Sequence, residues 1–200
     1  MKEMFLNKSI SLLTKQYDYD SDTLDRVKYG LEVIYITITK ISVILIVSLL
    51  FNSFKETLVL IIFTNFIRLF AYGLHAKKSW HCYVSSIISF VLLPHLFVNI
   101  EFNIIQKILI STLTLLSMIL YAPADTYKRP LINEKHRNTL KRNSIFITLI
   151  YIILIFSINN NFITNLILLS LIIQSALINP FIYKIFDLPY NNYKSYKKSC

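Results

Sequence analysis

The sequence predicts an all-α, polytopic integral membrane protein with about six transmembrane or partly re-entrant helices, an N-terminal amphipathic helix and both termini in the cytosol. Three observations lead to this class. The 200 residues are 54% hydrophobic, with a mean hydropathy of +0.53. Several apolar runs approach the roughly 20 residues that cross a bilayer, and only two glycines and five prolines occur in the whole chain. A membrane β-barrel would instead show alternating strands of about 10 residues.

The chain is expected to form one membrane domain, residues 1–200. We divide it into a cytosolic or interfacial amphipathic region at 1–30, a helical membrane bundle at 31–183 and a basic cytosolic tail at 184–200. In the first region, Leu6, Ile10, Leu13 and Tyr17 recur at helical spacing. Such a helix can lie in the membrane interface or pack on the cytosolic ends of the bundle, and the pattern leaves both open.

Six apolar segments follow this region, and they form the predicted membrane bundle. The second and fifth are short, so either can tilt, thin the bilayer locally or enter without crossing. Pro94 lies in the third segment and Pro180 near the end of the sixth, which predicts kinks at both places. The six segments are placed at roughly 31–52, 56–74, 83–100, 104–122, 144–159 and 162–183.

The basic residues explain the orientation. The formal net charge is +10, which in a soluble protein would suggest nucleic acid. Here lysine and arginine gather at the ends of alternate apolar segments, where topology and anionic headgroups account for them. The positive-inside rule therefore places both termini, the 75–82 loop and the 122–143 loop in the cytosol, and we expect no nucleic-acid partner.

Residues 68–82 concentrate the chemistry that the rest of the chain lacks. This stretch holds one of two glycines, two of four histidines and one of two cysteines. A cysteine thiolate is a nucleophile, and a neighbouring histidine can take its proton, so Cys82 and His75 are a candidate dyad. In one continuous helix they would lie about 10 Å apart. The chain must therefore bend between them, and Lys77 and Lys78 mark the polar break.

Arg68 and Gly73 each admit two interpretations. Arg68 can hold a substrate carboxylate or support the Cys82 thiolate, or it can extend to the headgroups. Gly73 can allow close approach of a substrate or tight packing of helices. His81 is an alternative base. A zinc site built from His75, His81, Cys82 and His95 competes with the dyad, although no H-E-x-x-H motif is present.

Two motifs resemble one known family. Arg68, Gly73, His75, Ala76 and Cys82 resemble the first signature of the accessory gene regulator B (AgrB) family of bacterial membrane cysteine endopeptidases, with Tyr72 where the family usually has glycine. The stretch from Ala122 to Pro130 is similar to the second, A-P-x-D-T-x-x-x-P. It contains Asp125, which can cap the next element and support the site. Lys128 and Arg129 can grip an acidic peptide segment or only mark the cytosolic side, and Lys77 and Lys78 can also bind or support a substrate.

The resemblance implies a membrane enzyme that processes a quorum-sensing peptide. Cys82 would attack an AgrD-like precursor before its acidic C-terminal tail, with His75 as base. The resulting acyl-thioester would then close to a thiolactone or lactone. No cofactor and no metal are implied, the partners are the precursor and membrane lipids, and homodimerisation stays open. The alternatives are a transporter or exporter without covalent chemistry and a zinc-dependent membrane hydrolase.

Overall fold

The computed structural model describes residues 2–14, 20–74, 79–126 and 130–194, and it is helical in all its regular elements within these ranges. The predicted all-α class is thereby confirmed, while the number of membrane crossings and the orientation stay predictions. The helices are α1 Lys2–Thr14, α2 Ser21–Leu50, α3 Phe54–Ala71, α4 Ser79–Ile87, α5 Leu93–Phe97, α6 Ile104–Tyr121, α7 Glu134–Ser157, α8 Asn161–Ile178 and α9 Pro180–Ile185.

Four of these helices are long and apolar enough to cross a membrane. Their spans are Thr23–Leu50, Ile104–Tyr121, Glu134–Ser157 and Asn161–Ile178. Their exposed faces are rich in large apolar side chains; on α6, for example, Leu109, Leu113, Leu116 and Leu120 are all exposed. A face of this kind is unfavourable in water but matches the hydrocarbon of a bilayer. The helices of the described residues are therefore compatible with a membrane protein.

Two compact units make up the chain, residues 1–46 and residues 47–200. The first unit contains α1, in which Phe5 packs on Tyr35 of α2 with ring centroids 5.3 Å apart. The predicted N-terminal helix is present, although Tyr17 lies outside the described residues. α2 begins at Ser21, so the end of the predicted amphipathic region and the first apolar segment form one helix of 30 residues.

In the second unit, α8 is the central helix. It packs most extensively on α3 and α6. Its residues from Thr164 to Leu171 are all buried, which is the all-round burial expected of a helix surrounded by others. Tyr151 of α7 joins this core and donates a hydrogen bond of 2.9 Å to the Phe63 carbonyl of α3. The core therefore fixes the ends of α3, α6, α7 and α8 relative to one another.

Two further boundaries differ from the predicted ones. α7 begins at Glu134, ten residues before the predicted segment and inside the predicted 122–143 loop. The side chain of Asn133 accepts a hydrogen bond from the His136 backbone amide and so caps the helix. Because of this cap, the helix begins within a polar stretch, and a pattern of apolar residues could not reveal that start. The sixth segment ends early, at Ile178. Asn179 caps the short helix α9, with Pro180 in its first turn.

The third segment is a continuous helical rod with a π-helical stretch, Ile88–Leu92, between α4 and α5. Pro94 has no amide hydrogen, so it cannot bond to the carbonyl of Phe90 four residues earlier. Instead, the Thr57 hydroxyl of α3 donates to the Phe90 carbonyl at 2.7 Å. At the far end, the Asn165 amide group of α8 donates to the Ile100 carbonyl at 2.8 Å. Neighbouring helices thus stabilise the backbone on both sides of Pro94, while the predicted kink there stays a prediction.

Replacing Thr57 with valine is expected to destabilise this packing. The substitution keeps the shape of the side chain but leaves the Phe90 carbonyl without its donor, at a cost of about 1–3 kcal/mol. Thermal unfolding in detergent would measure the change. Thr112→Val is the matched control, because the exposed Thr112 donates its hydroxyl to the Ile108 carbonyl in its own helix. An equal effect of the two substitutions would contradict the explanation.

Candidate active site

Two loop segments cross at one end of the second unit. The Ala124 amide donates to the Ala71 carbonyl at 3.0 Å, and the Gly73 amide donates to the Ala124 carbonyl at 3.0 Å. Tyr72 and Ala124 consequently form a parallel bridge pair. This crossing joins the residues that end α3 to those that follow α6. The two sequence motifs, about 50 residues apart in the chain, therefore meet at one place.

Gly73 is required by the geometry of this crossing. Its φ is +132°, and a Cβ atom at this position would lie 3.1 Å from the Leu177 carbonyl oxygen and 3.2 Å from the Leu177 Cβ. The next residue, Leu74, donates its amide to the same Leu177 carbonyl at 3.0 Å. Of the two predicted roles, the tight approach of α8 is observed directly. The approach of a substrate stays a prediction.

A Gly73→Ala substitution is expected to disturb the crossing, because it adds both backbone strain and a close contact. The strain of a side chain at such a φ is about 1–3 kcal/mol, and the fall in unfolding temperature in detergent would measure it. Gly30→Ala is the matched control. Gly30 lies in α2 with nothing within 4 Å of the added Cβ, so alanine should stabilise there by about 0.5–1 kcal/mol. A change in unfolding temperature of the same sign for Gly73→Ala and Gly30→Ala would contradict this account.

The side chain of Arg68 points toward the crossing and contacts the residues that follow it. It lies in the last turn of α3, and its Nη2 donates to the Leu74 carbonyl at 3.0 Å. Its charge interacts with the Cys82 thiol and the Tyr183 hydroxyl. The guanidinium thus holds the segment that leads to position 75 and places a positive charge near the candidate nucleophile.

Cys82 is a half-buried free cysteine in α4. It is the fourth residue of the helix as described, so it lies near the N-terminal end. The other half of the predicted dyad, His75, lies outside the described residues, as do Lys77, Lys78 and the side chain of His81. His95 is 13 residues further along the same rod, about 20 Å away at 1.5 Å per residue. It therefore cannot share a zinc ion with Cys82.

Gln174 is a site residue that the sequence analysis missed. This α8 side chain is fully buried, and its Nε2 donates to the Tyr72 carbonyl at 2.6 Å. Its Oε1 has no hydrogen-bond partner within the residues that the structure describes. The signal available in the sequence was an amide side chain inside an apolar helix, a costly arrangement that points to a specific partner.

Asp125 ties the second motif to the C-terminal segment. The buried carboxylate accepts hydrogen bonds from the Asn192 amide at 2.9 Å and the Tyr193 amide at 2.8 Å. Two longer contacts come from the Asn192 side-chain amide group at 3.3 Å and the Leu131 backbone amide at 3.4 Å. The Tyr183 hydroxyl donates to the backbone carbonyl of Asp125 at 3.1 Å. These contacts make Asp125 a supporting residue of the fold at this end; Lys128 and Arg129 lie outside the described residues.

Comparison with known proteins gives the family. The sequence profile of accessory gene regulator B matches residues 6–178. An AgrB-like protein of Listeria welshimeri is 37% identical over 89% of this chain and 87% of its own length. One from Clostridium acetobutylicum is 31% identical over 94% and 90%. Accessory gene regulator protein B of Staphylococcus aureus is 33% identical over 63% and 67%.

No solved structure matches the chain. The sequence comparisons, however, confirm the resemblance that the two motifs predict, and the match covers most of the chain, including the crossing at Tyr72 and Ala124. The chain therefore belongs to the accessory gene regulator B family, which implies a role in the agr quorum-sensing system.

Proposed function

We propose that this protein is a membrane cysteine endopeptidase that removes the C-terminal tail of an AgrD-like precursor and allows its cyclisation. One observation carries the proposal. The free Cys82 thiol lies near the start of α4, within the charge field of Arg68, beside the crossing that joins both family motifs. The thiolate form of a cysteine is the nucleophile in enzymes of this kind.

The proposed reaction has two steps. The Cys82 thiol gives its proton to His75, and the sulfur attacks the carbonyl carbon of the peptide bond before the tail. When the tetrahedral intermediate collapses, the C–N bond breaks and the tail amine takes the proton from His75. The remaining acyl-thioester is then attacked by a thiol or hydroxyl within the peptide, which closes the ring and releases the Cys82 thiol.

The charge distribution supports a cytosolic position for this end of the protein. Lys135, Arg137, Lys141 and Arg142 all lie in the first turns of α7, at the end where α6 stops and the crossing lies. Basic residues that flank apolar spans are typical of the cytosolic side. The loop residues Lys77, Lys78, Lys128 and Arg129 would also attract an acidic precursor tail.

Inhibitor sensitivity in proteoliposomes tests the proposal against both alternatives. With a candidate precursor added, tail release should stop after thiol alkylation and continue in the presence of a zinc chelator. Loss of tail release only with the chelator would favour a metal hydrolase. Transport of the intact precursor by alkylated protein, with no tail release under any condition, would favour the transporter and contradict the proposal.

A further inference from the structure

A polar cleft of about 360 Å³ lies at the same end of the second unit, separate from Cys82. It opens between the end of α6, the first two turns of α7 and the C-terminal segment 190–193. No aspartate or glutamate is among its lining residues in the described part of the chain. The residues that give it its chemistry are Tyr121, Arg137, Asn138, Lys141, Tyr190 and Tyr193.

Arg137 is the central residue of this cleft. Its guanidinium stacks over the Tyr193 ring, with the guanidinium carbon 4.0 Å from the ring centroid. This stacking fixes the plane of the guanidinium. The buried Nη1 has no hydrogen-bond partner in the ranges that the structure describes. A buried donor on a charged group is costly without an acceptor, so this nitrogen is suited to an acceptor on a bound molecule.

The neighbouring groups favour an anionic acceptor. Lys141 lies one turn after Arg137 in α7, and the Asn138 side chain adds an amide donor. Burial raises the pKa of Tyr190 to about 12, so its hydroxyl stays neutral and can donate as well. The nearest buried carboxylate, Asp125, already accepts from the amides of Asn192 and Tyr193. The cleft therefore has donors and positive charge, with no anion of its own among the described residues.

The orientation of α7 favours a peptide over a lipid headgroup as the ligand of this cleft. At 100° per residue, Arg137 and Lys141 share the helix face of Ser144 and Thr148, which are buried inside the unit. The lipid-facing side of α7, with Phe146 exposed, is on the opposite face. The cleft thus opens at the end of the bundle rather than toward the bilayer.

We propose that this cleft binds a side-chain or terminal carboxylate of an acidic peptide, with Arg137 as the paired donor and Lys141 as a second charge. A guanidinium and a carboxylate match in plane and can form two parallel hydrogen bonds. The proposal deepens the proposed function by assigning a place for the acidic part of a substrate. Binding there does not require Cys82 to be a nucleophile.

The test is a binding measurement with cleavage removed. Cys82→Ala protein in nanodiscs of a zwitterionic lipid would be titrated with a fluorescein-labelled, glutamate-rich peptide, and the same peptide with glutamines would serve as its control. We expect Arg137→Gln to weaken binding about tenfold or more, Lys141→Gln to weaken it less, and Arg137→Lys to fall between Arg137→Gln and the parent protein. Glutamine peptide should bind weakly to every variant.

Two matched controls lie on the same helix. Lys135→Gln and Arg142→Gln remove one charge each from exposed positions on the opposite face of α7, so they should change affinity by less than about twofold. Unfolding temperatures of all the variants would be compared with that of the parent. Equal losses of peptide affinity from Arg137→Gln and Lys135→Gln would show only a general electrostatic attraction between the basic protein and the acidic peptide. That result would overturn the proposal.

Binding of a lipid headgroup in the cleft, in place of a peptide, would also overturn the proposal. If the glutamate peptide does not bind, and Arg137→Gln instead reduces retention of an anionic lipid, the cleft is a headgroup site. Neither result bears on the peptidase, because tail release by Cys82 is measured separately. Conversely, normal peptide binding with no tail release by the protein that retains Cys82 would leave the cleft proposal standing and contradict the proposed function.

Discussion

A Cys82→Ala substitution is expected to abolish tail release from the precursor, with kcat/KM lower by roughly three orders of magnitude or more. The physical reason is that alanine has no group to attack the peptide carbonyl, and water is not held in place of the sulfur. His75→Ala should lose activity to a similar extent, because residues that act as one unit do not contribute additively. Quantitative mass spectrometry of the released tail in proteoliposomes would measure both.

Cys200→Ala is the control for this experiment. It removes the other of the two thiols in the chain and should leave tail release unchanged. If Cys82→Ala released the tail at the parent rate, Cys82 could not be the nucleophile. If both cysteine substitutions reduced the rate equally, the effect would be one of thiol oxidation or protein stability, and the assignment would fail.

An Asp125→Asn substitution is expected to have the largest effect on stability. An amide has the shape of the carboxylate, but one of its two ends is a donor. It would therefore face either the Asn192 amide or the Tyr193 amide without forming a hydrogen bond. We expect a loss of about 3 kcal/mol, since both bonds are made to a buried charged acceptor. Thermal unfolding in detergent would measure the loss.

The same substitution should also release the C-terminal segment. Because Asp125 holds residues 192 and 193, limited proteolysis should cut this segment faster in the variant than in the parent protein. Asp25→Asn, at an exposed position in the first unit, provides the matched control and should change neither quantity. Unchanged stability and unchanged cleavage in Asp125→Asn would mean that these hydrogen bonds contribute little.

The elements that could be predicted from the sequence are those with a strong local signal. α6 begins at Ile104, as predicted, because an apolar run follows a capping pair, Asn103 and Gln106. Arg68 and Gly73 stand out because a charge and a glycine are rare in this chain. Both lie at the crossing of the two motifs, although their roles toward a substrate stay proposals.

The features that could not be predicted depend on contacts between distant residues. Nothing near Gln174 in the sequence indicates its bond to Tyr72, about 100 residues earlier. The hydrogen bonds from residues 192 and 193 to Asp125 also join residues far apart in the sequence, and nothing near Asp125 indicates them. The start of α7 was misplaced because nine of its first ten residues are polar, and an apolar pattern marks only the part of a helix that is inserted or buried.

The most direct test of the central claim is to look for the covalent intermediate. The protein would be mixed with a precursor whose internal nucleophile has been replaced by alanine, so that ring closure cannot remove the acyl group, and then digested and analysed by mass spectrometry. The account predicts that the Cys82-containing peptide gains the mass of the precursor without its tail, and that hydroxylamine removes this mass. Tail release with Cys82 unmodified throughout, or with the acyl group on another residue, would contradict it.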